Sequence, residues 1–255
     1  MFDVQEIAEQ VTVSASNWRG EIQDRLKRFG IAIIEPIDTS EHSIQLEDVM
    51  LPLGSPVEYG FGTTLALEPQ EGSDNLQFTT KGMRLHADST FNSGPSVKYI
   101  GMQCEKAPEV GGETLVARSA AFFDNAPRDL LDTMRNIVIE YRNRIGGYYK
   151  DRAEGDHPRL APIQVDPDTG EQKVVVGFTD PSDPMRTHDA AVVGYNTDES
   201  AALLCRIEET LHLPSVLYTH RWRVGEIVVL DNRRVLHGRA AFPNQPRKLI
   251  RLSVA

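Results

Sequence analysis

Many short strand-like runs, few strong helical patterns and candidate metal ligands far apart in the chain predict a mainly β protein with flanking helices. The architecture that fits is a double-stranded β-helix, the jelly-roll form that cupins also have. Inward-facing residues of distant strands meet at one open end of such a barrel, which would bring His86 close to His237. The sequence has no glycine-rich phosphate loop before a helix and no Gly-x-Ser-x-Gly nucleophile elbow, so α/β architectures have little support.

The N-terminal part is predicted to hold a helix followed by a buried strand. Apolar residues recur every four positions within residues 16–29, which predicts an amphipathic helix. Gly30 ends that helix, and Ile31–Ile34 begins a buried strand. Gly60-Phe61-Gly62 is interpreted as a loop at the edge of the candidate active site.

The remainder is predicted to be strands interrupted by a few helices and one long loop. Residues 151–168, which contain several prolines and Gly155, are interpreted as a loop and as the candidate lid. The last forty residues are expected to form strand, turn, strand, turn, strand. The other expected elements are strands at 96–104 and 113–117, helical residues 119–135 broken at Pro127, and a helix at 197–212 capped by Thr197-Asp198-Glu199-Ser200.

Length and composition indicate one enzyme-sized domain over residues 1–255, with 40% hydrophobic residues. The 27 basic and 37 acidic residues give a net charge of −10, which disfavours nucleic acid as a partner. A small-molecule substrate is the expected partner, with homo-oligomerisation possible.

The sequence also predicts where the protein resides. No apolar run approaches the length of a bilayer span, and residues 1–6 lack the apolar region of a secretory signal. Cys104 and Cys205 are too few for a disulfide framework, so we expect a cytoplasmic protein in which both are small buried hydrophobic residues.

His86, Asp88 and His237 are the candidate metal ligands. Residues i and i+2 of a strand point to the same face, so His86 and Asp88 can converge on one point. Two histidines and one carboxylate leave open coordination positions, which is the ligand set of non-haem Fe(II) oxygenases. Because His-x-Asp is a common triplet, the alternative is a surface histidine near a turn.

Arg247 and Arg251 follow the second histidine in a run of alternating charged and apolar residues, which predicts a half-buried strand. They are an even number of residues apart and therefore share a face. A guanidinium grips a carboxylate bidentately, so an arginine near the metal suits the far carboxylate of 2-oxoglutarate. The alternative is a strand with a solvated basic face.

The order of these motifs resembles the taurine dioxygenase branch of the Fe(II)/2-oxoglutarate oxygenases, and within it the carbapenem synthase group is most similar. The resemblance covers nearly the whole chain. The motifs that carry it are His86-x-Asp88, Gly111-Gly112-Glu113-Thr114, Asp231-Asn232-Arg233-Arg234-Val235-Leu236-His237, and Arg247 with Arg251.

This resemblance implies a role for each matching residue. His86, Asp88 and His237 would ligate Fe(II), and Thr114 and Arg247 would bind 2-oxoglutarate. Arg251 matches a position that often meets an anionic group of the substrate. Phe61 and Tyr148, on their loops, are further candidates for substrate contacts, with ordinary aromatic packing as the alternative for Tyr148. Arg233 or Arg234 is a candidate support for the metal site.

The resemblance further implies a dioxygenase that consumes 2-oxoglutarate and O2, releases succinate and CO2, and oxidises a C–H bond of a small carboxylate- or amino-acid-like metabolite. Hydroxylation is the default outcome; desaturation, cyclisation and epimerisation share its first step. A role in specialised metabolism such as antibiotic biosynthesis follows from the same likeness. Two other classes stay open: a zinc-dependent hydrolase or lyase using the same three ligands, and a cupin-like binding protein without turnover.

Overall fold

A computed structural model describes residues 4–36, 44–59, 62–90, 96–145 and 153–255 of the chain. Most of its regular structure is strand. The α-helices of these residues are α1 (Val4–Val11), α2 (Trp18–Phe29), α3 (Leu46–Met50), α4 (Ser119–Asn125), α5 (Arg128–Asn136) and α6 (Thr197–Leu211). The strands are β1 (Thr12–Val13), β2 (Ile31–Ile34), β3 (Thr64–Leu67), β4 (Met83–His86), β5 (Tyr99–Lys106), β6 (Thr114–Arg118), β7 (Ile139–Asn143), β8 (Arg159–Leu160), β9 (Ile163–Val165), β10 (Gln172–Val174), β11 (His188–Val192), β12 (Leu217–His220), β13 (Ile227–Asp231), β14 (Val235–Arg239) and β15 (Lys248–Val254).

Two sheets form the body of the protein. The larger has the strand order β1-β2-β13-β5-β15-β3 and the smaller the order β12-β6-β14-β4. Buried side chains of both sheets, among them Ile100, Val116 and Val235, belong to one apolar cluster. Apart from the consecutive strands β1 and β2, neighbouring strands in these two sheets are not consecutive in the chain, as in a jelly roll. The predicted fold class is confirmed.

Residues 227–230 of strand β13 are all apolar because the strand is buried on both faces. Val228 and Leu230 belong to the cluster shared by the two sheets, whereas Ile227 and Val229 pack with residues of α2 on the outer face. Successive residues of a strand point to opposite faces, so both faces of β13 are buried. The smaller sheet is likewise covered on its outer face by a cluster that includes residues of α4, α5 and α6.

Most predicted elements agree with the structure to within a few residues. The helix at 16–29 is α2, and Gly30 ends it with a left-handed φ of 73°. The break at Pro127 separates α4 from α5. Among the last forty residues, the structure adds β12 to the three strands expected. The helix α6 is capped by Asn196 rather than by Thr197, and Asn196 and Glu199 form a capping box.

The prediction of one long loop over residues 151–168 is wrong for its described part. Residues 153–168 contain β8 and β9, and β9 pairs with β10 as a hairpin. Asp166 folds the hairpin tip by accepting the backbone N–H groups of Asp168 and Thr169. A turn of this kind depends only on neighbouring residues. The packing of the hairpin against the remainder of the chain depends on distant residues, so local propensity does not predict its strands.

Cysteine burial also differs from expectation. Cys104 is buried, as predicted, but Cys205 is exposed on α6. None of the helices in the described ranges has the length and apolar character that crossing a bilayer requires.

Candidate active site

The two candidate metal-binding histidines lie on adjacent strands of the smaller sheet. His86 is the last residue of β4 and His237 is the third of β14, and the two are register partners. Side chains of register partners in an antiparallel pair stand side by side on one face. The ring centroids of His86 and His237 are accordingly 4.5 Å apart.

Asp88 joins the two histidines from a turn beyond the end of β4. Its Oδ1 lies 3.6 Å from Nε2 of His86 and 3.7 Å from Nε2 of His237. One donor atom from each of the three residues lies within 4.8 Å of the other two. The structure therefore brings together the three ligands predicted from the sequence, in an arrangement from which one ion can reach all three donors.

The protonation of these side chains suits metal binding, which requires neutral imidazoles and an ionised carboxylate. Burial lowers the pKa of His237 to about 3. Burial by itself raises the pKa of the Asp88 carboxyl, but the Arg251 guanidinium and the two imidazoles hold that pKa well below its usual range. Nδ1 of His86 lies 2.9 Å from the carbonyl oxygen of Arg84, and a proton on Nδ1 leaves Nε2 free for the metal.

Arg251 lies at this cluster and not apart from it. Its guanidinium contacts Oδ2 of Asp88, the carboxylate oxygen other than the one facing the histidines. Nε of Arg251 also donates to Oγ of Ser253 at 3.2 Å. Arg251, which was predicted to meet an anionic group of the substrate, thus lies beside the candidate metal site and contacts the carboxylate of the candidate metal ligand Asp88.

Arg247 is a buried cation in the predicted 2-oxoglutarate site. It is 4% exposed, and its Nε donates to the carbonyl oxygen of Gly112 at 3.0 Å. This contact depends on the turn at Gly111-Gly112: Gly112 has a φ of +71°, and a Cβ there would lie 3.0 Å from Cδ of Arg247. Burial lowers the pKa of Arg247 to about 10, and among the described residues Arg247 forms no ion pair.

Arg239 is a second buried cation that sequence reasoning missed. It lies two residues after His237 on β14, so period-two alternation was the signal that could have found it. Its guanidinium donates to the carbonyl oxygens of Leu76, Gln77 and Lys81, at 2.7 to 3.3 Å. Burial and then the charge of Arg247 lower the pKa of Arg239 to about 10. Within the described part of the chain, neither guanidinium has a carboxylate partner.

Thr114, the other predicted 2-oxoglutarate contact, lies in the same region. On β6 it is the register partner of Arg239, and Val116 is the partner of His237. Two residues along a strand span about 7 Å, which is the separation between the row of His237 and the row of Thr114. Nε1 of Trp222 donates to Oγ1 of Thr114 at 3.1 Å, a contact that the sequence did not reveal.

The turn between β13 and β14 supports the site through Asn232, a role that the sequence did not reveal. Its amide forms hydrogen bonds with the backbone of Asp88. Arg233 pairs with Asp231 at 2.8 Å and donates to the Tyr99 hydroxyl, so its predicted support of the metal site is indirect at most. A cavity of about 230 Å³ borders Asp88, Asn232 and Arg233.

Phe61 and Tyr148, the candidate substrate contacts, lie outside the described residues. Of the remaining histidines, His220 is buried in the core, with its Nε2 3.3 Å from the carboxylate of Glu226.

Comparison with known proteins identifies the family. Residues 6–253 match the family described as "Taurine catabolism dioxygenase TauD, TfdA family". The chain belongs to this family. It is therefore an enzyme, an oxygenase that depends on iron and 2-oxoglutarate. The cofactors predicted from the sequence are confirmed, and the donor set of His86, Asp88 and His237 fits Fe(II).

Individual relatives span several reactions. The chain is 26% identical over 208 residues to 3-((Z)-2-isocyanoethenyl)-1H-indole synthase of Fischerella ambigua, covering 79% of this chain and 73% of that protein. It is 28% identical over 213 residues to tyrosine isonitrile desaturase of Pseudomonas aeruginosa, covering 79% and 69%. It is 26% identical over 187 residues to (S)-phenoxypropionate/alpha-ketoglutarate-dioxygenase of Sphingobium herbicidovorans, covering 68% and 62%. These relatives support the family as a whole and not carbapenem synthase specifically.

The fold is shared with solved structures. The PvcB protein of Pseudomonas aeruginosa superimposes with a TM-score of 0.71 at 22% identity, covering 91% of this chain and 78% of PvcB. The jelly-roll arrangement of the two sheets is thus common to both proteins.

Proposed function

We propose that this enzyme uses Fe(II) held by His86, Asp88 and His237 and 2-oxoglutarate held by Thr114 and Arg247 to oxidise an unactivated C–H bond of a small metabolite. The observation that carries the proposal is a cluster of three metal-binding side chains beside two buried guanidinium groups, Arg239 and Arg247, that lack carboxylate partners within the described residues. A buried charge without a counter-charge is costly, so this region is suited to an anion.

The dimensions of the site support 2-oxoglutarate as that anion. Its keto-acid end would bind the metal, and its far carboxylate would lie one row along the sheet. The row of Thr114 and Arg239 is about 7 Å from the row of His237, a distance suited to a five-carbon diacid. Arg247 would supply the charge-assisted hydrogen bonds to the far carboxylate, and Thr114 a hydroxyl donor.

With O2 as co-substrate, bound iron and 2-oxoglutarate would supply oxidative decarboxylation, in which one oxygen atom enters succinate as CO2 leaves and the other becomes part of the oxidant that removes a hydrogen atom from carbon. The residues of this chain orient the reactants. His86 and His237 are fixed by strand pairing, and Asp88 by hydrogen bonds to its carboxylate and its backbone. Such fixed geometry would hold the metal in one position relative to a bound substrate, as an oriented reaction requires.

We propose that the substrate is a small carboxylate- or amino-acid-like molecule. The names of the relatives support this class, because tyrosine isonitrile desaturase is named for an amino-acid derivative and the phenoxypropionate dioxygenase for a carboxylic acid. Hydroxylation is the outcome we expect. Desaturation is the second candidate, and the name of the Pseudomonas aeruginosa relative favours it. We also propose that residues 1–255 act as one catalytic domain, since β2 near the start pairs with β13 near the end.

The test is an anaerobic titration of the metal-free protein with Fe(II) and then 2-oxoglutarate, recorded in the visible spectrum. We expect a weak metal-to-ligand charge-transfer band only when both are present. An Arg247→Leu variant should need far more 2-oxoglutarate to reach the same band. If folded, iron-loaded protein gives no band, the proposal is wrong. Activity that persists without oxygen and 2-oxoglutarate would instead support a zinc-dependent hydrolase or lyase.

A further inference from the structure

The backbone of Asp88 is not held by strand pairing. The strand β4 ends at His86, and Asp88 begins a turn in which Ser89 has a left-handed φ of 59°. Arg251 holds Oδ2 of the Asp88 carboxylate, but that contact does not fix the backbone of residue 88, from which the side chain projects. Strand pairing therefore explains the placement of His86 and His237 but not that of the third ligand.

The side chain of Asn232 supplies the missing restraint. Its Oδ1 accepts the N–H of Asp88 at 2.9 Å, and its Nδ2 donates to the carbonyl oxygen of Asp88 at 3.1 Å. The same Nδ2 donates to the carbonyl oxygen of Val97 at 2.9 Å. The side-chain amide of Asn232 thus bonds both backbone polar groups of Asp88 and connects them to the segment that leads into β5.

Asn232 is itself fixed in place. It is 8% exposed, and its backbone N–H donates to the carbonyl oxygen of Lys98 at 2.9 Å. The amide cannot be reversed, because the NH2 group would then face the N–H of Asp88 and the oxygen would face two carbonyls. Aspartate offers no donor in place of Nδ2, and leucine offers no polar group at all. Asparagine is the residue whose one acceptor and two donors match the three contacts.

We propose that Asn232 is a positioning residue that fixes the metal-binding carboxylate of Asp88 by clamping the backbone of residue 88. This rests on the proposed function, since it takes Asp88 to be a metal ligand. The segment from Asp231 to His237 then provides both one ligand and the clamp for another. Loss of residues that orient metal ligands typically weakens metal affinity by about 10- to 100-fold.

The experiment compares Mn²⁺ binding to metal-free protein, by calorimetry, in the wild type and in Asn232→Asp and Asn232→Ser. We expect Kd to rise about 10- to 100-fold in both variants. The melting temperature of the metal-free protein should change by only a few degrees. With Co²⁺ as the probe, the visible d–d spectrum should change in intensity, a signature that a purely structural role would not produce.

The matched control is Asn143→Asp. Asn143 is also a buried asparagine whose amide bonds the backbone, donating to the carbonyl oxygen of Ala153 at 2.9 Å and accepting from the N–H of Ile145. It lies on β7, outside the cluster of metal-binding side chains. Its substitution should leave the Mn²⁺ Kd unchanged, even if the protein melts earlier.

An Asp88→Ala variant separates this proposal from the proposed function. If Asp88→Ala binds Mn²⁺ as the wild type does, the proposed metal site is wrong. If Asp88→Ala loses binding while both Asn232 variants keep the wild-type Kd and Co²⁺ spectrum, only the positioning role is overturned. Failure of both Asn232 variants to fold would also overturn it, in favour of a purely structural role.

Discussion

His86 and His237 are register partners on adjacent antiparallel strands, and their rings lie 4.5 Å apart although 150 residues separate them in the chain. This pairing places two of the three candidate ligands by the same hydrogen bonds that build the smaller sheet. The placement of these two imidazoles is therefore a property of the sheet, and it should exist in the metal-free protein. Binding then requires little reorganisation of the two imidazoles.

We predict that His237→Ala abolishes tight metal binding while leaving the protein folded. Removing a direct ligand should raise the Mn²⁺ Kd by more than the roughly 10- to 100-fold expected for a supporting residue. Calorimetry on the metal-free protein measures this. The control is His188→Gln, because His188 is also buried but its Nε2 lies 3.1 Å from the carbonyl oxygen of Gly177. An unchanged Kd in His237→Ala would remove His237 from the metal site.

We predict that Arg247→Leu raises the KM for 2-oxoglutarate strongly. Truncating one partner of a buried charge pair costs about 2–5 kcal/mol, or roughly 30- to 5,000-fold. The KM of Arg247→Lys should lie between those of the wild type and Arg247→Leu, because lysine keeps the charge but lacks the planar guanidinium group. The metal-free Arg247→Leu protein should melt no earlier than the wild type, since the buried charge there has no ion-pair partner among the described residues.

Succinate formation at varied 2-oxoglutarate concentration measures the effect of these variants. Lys248→Ala is the control, because Lys248 is the next residue and its amine pairs with Glu105 at 2.9 Å instead of facing the site. A KM for Arg247→Leu within twofold of the wild type would contradict the assigned role.

The sequence predicted the triad and Arg247 from two short segments, His86-x-Asp88 and the run from His237 to Arg247. Thr114 followed only from family resemblance. Alternation along β14 could have placed Arg239 on the face of His237, but the contacts that Asn232 and Arg239 make join segments that are far apart in the chain. Asn232 meets Asp88 across 144 residues, and Arg239 meets Leu76 across 163. No local pattern encodes those pairings, which depend on the register of β14 against its neighbours.

The same limit explains the hairpin of β9 and β10. Glycine and prolines in residues 151–168 suggested a loop, yet Asp166 closes the tip and Lys173 pairs with it at 3.1 Å. Asp168 at that tip pairs with Lys98 at 2.9 Å, and Glu171 pairs with Arg234. These ion pairs join the hairpin to the segments around Asn232. They join segments that are far apart in the chain, so no local pattern of the sequence predicts them.

We predict that the metal-free protein loses stability as the pH falls from 7 to 5, in part through His188. Burial lowers the pKa of His188 in the folded protein to about 4, below its ordinary value of 6.5. The unfolded state therefore binds the proton first, and stability decreases as the pH falls through this window. At pH 5 the protonated form of the His188 ring outnumbers the neutral form roughly thirtyfold in the unfolded state. This preference lowers the free energy of unfolding by about 2 kcal/mol.

Urea denaturation at pH 7 and pH 5, with chelator present, measures this contribution. His188→Gln should lower stability at pH 7 but reduce the difference between the two pH values by about 2 kcal/mol. Other titrating groups contribute equally to both proteins and cancel in the comparison. Parallel pH profiles for the wild type and His188→Gln would show that His188 does not titrate as its burial requires.

We predict that Trp222→Phe raises the KM for 2-oxoglutarate while leaving kcat unchanged. The indole N–H donates to Oγ1 of Thr114, so the hydroxyl proton of Thr114 stays available for the 2-oxoglutarate carboxylate. Losing one neutral hydrogen bond costs about 0.5–1.5 kcal/mol, which is roughly a 2- to 13-fold rise in KM. Trp18→Phe is the matched control, since both tryptophans are 4% exposed and Trp18 lies in α2 on the outer face.

The two tryptophans also give a direct optical test. In Trp18→Phe all indole emission comes from Trp222, and it should change when 2-oxoglutarate binds to the Mn²⁺-loaded protein without oxygen. In Trp222→Phe the emission comes from Trp18 and should stay constant. Because the indole lies against Thr114, constant emission from Trp222 at saturating 2-oxoglutarate would mean that the diacid does not bind at Thr114, even if Arg247 still affects its KM.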